Sequence, residues 1–595
     1  MENKYFYDPL VDKSPAGVIT KNKSVKFFIH NFENNIEKAF FMLKKDEDND
    51  FRYYEMKKNE NGLEYEFDFC DAGHYWYAFQ IIIGGNYLYI NKTYDNYSYI
   101  YHELRESFFQ SVTEKEYDNY DQMQGGIIYQ IFVDRFCKVG EVNCRKPLIF
   151  REDWGGKIKK NTTDPLVINQ EVFGGNFNGV TSKLDYLKDL GVTTIYLNPI
   201  SMANSNHKYD TADYMRVDPM FGTESDFEYM ISEAKKRDIK VIIDGVYNHT
   251  GSDSIYFNKY NRFDTLGAYK SQNSKFYSWY NWDVWPEKYG SWWGIDTLPS
   301  ISHKSEDFQN YIAGDDGVIE KFLKQGVSGV RLDVVDEISD EFVEKIRKKV
   351  SSFGDDKILV GEVWEDAATK ISYSKRRTYF SNNELTSVMN YPAKESIMHF
   401  LRTKDTINFV STMRMLQNNY PKAVLDNLMN FLGTHDTGRF YSDIKWIAEN
   451  DEEKAFIFLK IATSILFLIP GVPCIFYGDE YGIENNDDSS RGCFDWNNYK
   501  TKIYSWYLKL SKIRKYKVLK DGLFNIIFAK EGKLVFERFN DEERIIFCAN
   551  LTKSPFSVEI EGIFKSFITK NEINSEICLG ENEFEILIEK NKKKK

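Results

Sequence analysis

Eight short apolar runs alternate with helical stretches between residues 127 and 515, and this rhythm constrains the fold more than any other feature of the chain. The runs lie at 127–136, 193–200, 240–248, 329–334, 357–364, 387–392, 428–436 and 474–481. Helical periodicity occupies 178–190, 224–237, 318–325, 341–350 and 452–468 between them, and 503–515 after the last. Strands separated by helices make a parallel sheet covered by helices, and eight is the count that closes such a sheet on itself. The expected fold class is therefore α/β, a (β/α)8 TIM barrel over residues 119–515. Residues 250–302 form a Trp- and Tyr-rich stretch too long for an ordinary crossover, and are expected to be an inserted loop domain after the third strand.

The flanks read differently. Residues 1–118 carry alternating or apolar runs at 25–32, 39–43, 65–69, 75–83 and 87–90 with Gly, Asn and Asp clusters between them, which predicts a β-sandwich. Residues 516–595 return to short strand patterns at 524–529, 533–539, 544–550 and 557–560, which predict a C-terminal all-β domain. Several domains suit a chain of 595 residues, which is too long for one core.

Four segments place chemistry at the ends of barrel strands: DGVYNH at 244–249, GVRLDVVDE at 329–337, GEVWE at 361–365 and FLGTHD at 431–436. In a parallel barrel those ends converge on one pocket. Asp333 and Glu362 end neighbouring strands, which run about 4.7–4.9 Å apart. Their carboxyl groups can thus reach the roughly 5–5.5 Å separation at which one acts as nucleophile and the other as acid/base on a glycosidic bond. Asp suits the shorter reach to the sugar carbon, and Glu the approach to the bridging oxygen. A carboxylate neighbour and restricted solvent are expected to raise the Glu362 pKa. Arg331, two residues before Asp333, shares its strand face and can hold that carboxylate. Asp436 comes from across the barrel mouth, with His249 and His435 as donors near the same ligand. Taken singly, an aspartate at a strand end is a helix cap more often than a catalyst; four segments in order, each at the right end of its strand, reverse that reading.

These residues resemble glycoside hydrolase family 13, the α-amylase family, over essentially the whole chain. The resemblance implies a nucleophile at Asp333, a general acid/base at Glu362 and a transition-state stabiliser at Asp436, with sugar contacts from His249, Arg331 and His435. It implies that Tyr209, in the run HKYDTADY at 207–214, stacks under the reacting glucose, and that Asp487 and Arg491 form a subsite pair. Within the family the chain is most similar to the neopullulanase, cyclomaltodextrinase and amylopullulanase branch, on its N-terminal module and on WWGIDTLP at 292–299. The implied activity is retaining hydrolysis of α-1,4 and some α-1,6 bonds in maltodextrins, cyclodextrins or pullulan. The alternatives are a 4-α-glucanotransferase of the same fold and a non-catalytic glucan-binding homologue.

Relatives often bind calcium after the first strand. Here that loop, CKVGEVNC at 137–144, is poor in oxygen ligands and carries Lys138, so calcium is possible but not supported by this loop, no metal ligand is assigned and no cofactor is required. The aromatics of 256–293 serve either as the core of the insertion or as walls of a glucan cleft, with Trp292 and Trp293 the best cleft candidates. The N-terminal module is expected to act as scaffold or to form a homodimer.

A net charge of −12 excludes a nucleic-acid or acidic-lipid partner. Seven cysteines without metal-ligand spacing suit free thiols in a reducing compartment. The opening residues lack an apolar leader core, and the longest apolar stretch, 455–472, is interrupted by Lys460, so a cytoplasmic protein without a membrane span is expected.

Overall fold

The computed structural model describes residues 6–32, 35–117, 123–157, 169–485 and 490–589. Eight parallel strands form one sheet: β1 (Ile128–Ile131), β2 (Thr194–Leu197), β3 (Lys240–Gly245), β4 (Gly329–Leu332), β5 (Ile358–Gly361), β6 (Ser387–Val388), β7 (Met429–Phe431) and β8 (Val472–Phe476). Their order is β6-β5-β4-β3-β2-β1-β8-β7. A parallel bridge between Met389 and Met429, with the Asn390 N–H donating to Met429 O at 2.9 Å, joins the two free edges. The sheet is a barrel.

Parity along the strands decides what the barrel holds. Successive side chains point to opposite faces. Ile128, Tyr196, Ile242, Ile358, Val360, Phe431 and Cys474 pack into the central core. Their neighbours Tyr129, Ile195, Leu197, Val241, Ile243, Val330, Leu332 and Leu359 pack outward in the larger cluster that also takes in the helices. The same count carries Gln130, Asn198, Asp244, Arg331, Asp333 and Glu362 to the inner side, at the ends where the inward row runs out of apolar residues.

The paired strands are shorter than the apolar runs suggest. Once the chain reaches the rim the ladder stops, but the residues beyond it stay buried and so keep their apolar character. The run at 387–392 contributes only β6, because Asn390 caps the helix Tyr391–Thr403 with Pro392 in its first turn. The helical pattern at 178–190 is broken into Phe177–Thr181 and Leu184–Asp189. Among the described residues no helix lies between β5 and β6. That connection instead carries a two-stranded hairpin, Ile371–Ser372 with Lys375–Arg376.

The insertion after β3 is mostly irregular and is held by its aromatics. Tyr256, Phe257, Trp279 and Tyr280 are buried, with Tyr256 5.0 Å from Trp279 and Phe257 4.8 Å from Tyr280 between ring centroids. The N-terminal module pairs a four-stranded and a seven-stranded sheet over one core, in which Phe27, Phe41, Tyr77 and Phe79 meet. Its strands Ser98–Tyr101 and Phe108–Thr113 escape the periodicity, the latter because it is buried along its whole length. The C-terminal strands form an antiparallel six-stranded sheet and a separate pair. No helix among the described residues is long and apolar enough to cross a membrane.

Candidate active site

One guanidinium organises the mouth of the barrel. Arg331 is fully buried, and its Nη1 donates to Asp244 Oδ1 at 2.8 Å and to Asp333 Oδ1 at 2.9 Å. Its Nη2 lies 2.9 Å from Glu362 Oε2, a charge contact without an aligned N–H. Three carboxylates from β3, β4 and β5 thus share one cation, which is what keeps so much negative charge tolerable out of water. Asp244 is held further by the hydroxyls of Tyr196 at 2.6 Å and Tyr209 at 2.8 Å.

Glu362 is oriented by both of its oxygens. Oε2 accepts from the Val334 N–H at 2.8 Å, and Oε1 from Trp364 Nε1 at 3.0 Å. The Trp364 ring is itself fixed by stacking on Tyr391, 4.2 Å between centroids. Val334 donates from a left-handed conformation, φ 42° and ψ 55°, which is rare for a β-branched residue. Such strain costs about 1–3 kcal/mol and persists only where the surroundings impose it. A glycine there would pay about 0.5–1 kcal/mol in chain entropy, so Val334→Gly is expected to melt no lower than the parent chain. A thermal melt checks this, and a fall of several degrees refutes it.

Asp436 faces these groups from the loop after β7. His435 Nε2 stands 2.9 Å from its Oδ2, and Arg491 Nη2 is 3.7 Å from its Oδ1. Burial pushes this carboxyl up, but His435, Arg491 and Arg331 together overbalance it and hold the group below the usual range. The His435 ring stacks on Tyr209 at 5.3 Å, and its Nδ1 lies 2.8 Å from Gln130 Nε2. With the Gln130 amide donating, Nδ1 accepts, and Nε2–H donates to the Tyr209 hydroxyl, whose own proton goes to Asp244, with Asp436 beside it.

Burial lifts the Asp333 carboxyl well above its ordinary value; Arg331 opposes this, and Glu362, Asp244 and Asp436 reinforce it. His249 is neutral because burial pushes its imidazole down to about 4; its Nε2 lies 3.0 Å from Tyr209 O.

Asp333, Glu362 and Asp436 line one cavity of about 1010 Å3, together with Tyr209, His249, Trp292, Trp293 and Arg491. The family model described as "Alpha amylase, catalytic domain" matches residues 130–518. This chain belongs to the α-amylase family. A cyclomaltodextrinase from Thermoanaerobacter pseudethanolicus is 31% identical over 465 residues, 73% of this chain and 72% of that protein. An amylopullulanase from Thermoanaerobacterium saccharolyticum is 29% identical over 620 residues, 89% of this chain and 46% of its own length. The chain spans less than half of the amylopullulanases it matches. Among solved structures, the type III pullulan hydrolase from Thermococcus kodakarensis superposes with a TM-score of 0.69 at 25% identity, covering 98% of this chain and 100% of that one.

Within this α-amylase family barrel Arg331 and His435 are buried directly beside the carboxylates that line the cavity, Arg331 at Asp333 and Glu362 and His435 at Asp436. Asp487 lies outside the described residues, and Arg491 turns toward Asp436 and the His435 carbonyl, at 3.1 Å from Nε. Trp292 packs 5.5 Å from His249, while Trp293 is 80% exposed at the rim. The insertion's aromatics therefore divide, with Tyr256, Phe257, Phe276, Trp279 and Tyr280 in its core and Trp292 and Trp293 on the cleft. Asp244, Gln130 and Tyr196 were missed as site residues, although parity from their strand neighbours marks them as inward.

The donors do not fit a calcium ion. Asp134 spends its carboxylate on Arg135 and on the N–H groups of Phe173 and Gly174. Among the described residues the Asn248 amide has no hydrogen-bond partner, and the small pocket beside it is lined by Tyr247, Ile301, Ser302, His303, Gln309 and Glu337, with a single carboxylate. Among the described residues no three His, Cys, Asp or Glu side chains gather as a metal site.

Proposed function

We propose that this protein is a retaining glycosidase that cleaves α-glucosidic bonds, mainly α-1,4, in starch-derived maltodextrins, cyclodextrins or pullulan. One observation carries the reading: carboxylates ending adjacent strands are held by the same guanidinium and open onto the same cavity. A barrel stabilised only by packing has no use for two such groups at its mouth.

Asp333 attacks the anomeric carbon while Glu362 protonates the departing glycosidic oxygen, giving a β-glucosyl ester on Asp333 and a shortened glucan. Water then attacks the same carbon as Glu362 takes its proton, and the ester bond breaks to restore the Asp333 carboxylate. Between these steps the sugar carries positive charge. A buried carboxylate costly to ionise in the empty site gains most from that charge, so the environment of Asp333 favours the transition state over the free enzyme. Asp436, kept ionised by His435 and Arg491, supplies a further negative group beside the ring. The neutral His249 is a hydrogen-bonding group rather than a second cation. Names among the relatives, cyclomaltodextrinase and amylopullulanase among them, support an α-glucan substrate.

Products on pullulan, β-cyclodextrin and soluble starch test this. Hydrolysis with the first-formed reducing end in the α configuration is expected by proton NMR, and panose from pullulan if α-1,4 bonds are cut. A first-formed β anomer overturns retention. Longer oligosaccharides from maltotriose instead of glucose and maltose assign the chain to glucanotransfer, and no turnover of any α-glucan rejects the reading.

A further inference from the structure

The hairpin that replaces a helix after β5 is too small to stand alone. It has two residue pairs, Ile371 opposite Arg376 and Ser372 opposite Lys375, closed by Tyr373 and Ser374 at φ 50° and 62°. A two-residue turn with both φ values positive favours Asn-Gly, and a two-stranded ribbon of this length is not stable in water. Yet Ile371, Ser372 and Tyr373 form part of the wall of the cavity that holds Asp333 and Glu362. Ile371 is 56% and Tyr373 70% exposed, so apolar surface is presented to the cleft rather than packed away.

Two sets of contacts keep it in place. From the barrel, the Tyr373 hydroxyl donates to Glu337 Oε2, the Ser372 hydroxyl to Asp336 O at 2.9 Å, and Lys375 pairs with Asp340 at 2.9 Å. From the N-terminal module, Asp46 Oδ2 accepts from Arg376 Nε at 2.7 Å, and Asp46 Oδ1 accepts from Trp76 Nε1 at 2.7 Å. The Arg376 guanidinium also lies over the Trp76 ring, 5.2 Å from its centroid. Trp76 stands on the long strand Gly73–Ile83 and packs 5.1 Å from Phe109, so the brace is rooted in the sheet itself. Arg376 is paired directly across the ladder with Ile371, so what fixes one fixes the other.

We infer that the N-terminal module is a specificity element of the active site: Asp46 and Trp76, acting through Arg376, hold the 371–376 hairpin as a platform for glucan units remote from the bond being cut. The inference rests on the α-glucan reading above. Asp46 and Trp76 are positioning residues that touch no substrate. Pyranose rings present apolar C–H faces, and the exposed Ile371 and Tyr373 offer the matching surface. A substrate too short to reach the hairpin is indifferent to the brace.

The test uses the full chain. Asp46→Ala is expected to raise KM for maltoheptaose about tenfold while kcat/KM for maltotriose stays within about twofold. Asp46→Asn, which retains an acceptor for Trp76 and loses the charge facing Arg376, should fall between. Adding Asp46→Ala to Arg376→Ala should cost nothing more, because both cut the same link. Trypsin should cleave Asp46→Ala after Lys370 or Lys375 faster than the parent chain at an unchanged unfolding midpoint, a readout independent of turnover. Equal KM shifts for both substrates, additive effects, or an equally resistant hairpin overturn the inference. If the parent chain cleaves no α-glucan, the proposed function falls and takes the substrate role with it, while faster nicking would still report the brace.

Discussion

Asp333→Asn should abolish turnover and, at neutral pH, yield a more stable protein. The loss is expected to be at least about a thousandfold in kcat, about 4 kcal/mol of transition-state stabilisation, because an amide cannot form the glucosyl ester. The gain follows from linkage. Burial raises the Asp333 carboxyl above its unfolded value, so between the two values the folded chain binds more protons than the unfolded one. Stability contributed by this group is complete below the unfolded pKa and declines as pH rises through that interval. Asparagine does not titrate, and its amide oxygen can still accept from Arg331, so the variant escapes the decline. Its melting temperature should match the parent's in acid and move above it as pH approaches neutrality, as calorimetry at several pH values would record. A gap that narrows with rising pH would contradict the assignment, and a variant retaining ordinary activity would remove Asp333 from the mechanism. Trading stability for a poised catalytic group is a familiar cost of active sites.

Much of this site could be read from the chain because barrel geometry converts sequence parity into direction. Once residues 358 and 360 are inward, Glu362 must be too, and the same holds for 331 and 333. Where the ladder would end was not legible, since Val133 and Tyr477 beyond it remain as buried as the strands themselves. The role of Arg331 was half visible. Its spacing from Asp333 predicted one contact, but those to Asp244 and Glu362 depend on how neighbouring strands register, Asp244 with Arg331 and Leu332 with Gly361. The hairpin at 371–376 left no signal, because Tyr373-Ser374 is a poor turn sequence and is held by residues more than 300 positions away, such as Asp46.

Arg331→Met should be the most damaging substitution in the barrel, and its pH dependence separates two accounts of this residue. Methionine keeps the length and removes the cation, leaving Asp244, Asp333 and Glu362 facing one another. Breaking a buried ion pair from one side typically costs about 3–5 kcal/mol, because the partner charge is left uncompensated; here three partners are stranded. Arg331 lowers the Asp333 carboxyl against burial, so its removal raises that group further and widens the interval over which stability falls with rising pH. The deficit should grow as pH rises, shrink in acid as Asp333 takes up its proton, and appear in urea unfolding of the ligand-free protein. Turnover should drop by about a thousandfold or more at every pH, since neither carboxylate keeps its orientation. Arg331→Lys, with one short ammonium in place of a planar fork, should recover part of the stability and little of the rate. Had arginine served chiefly to touch the sugar, its loss would raise KM and leave the empty protein's stability unchanged at any pH. A deficit that is flat with pH, or smaller than about 1 kcal/mol, would favour that account and leave the three carboxylates without a common cation.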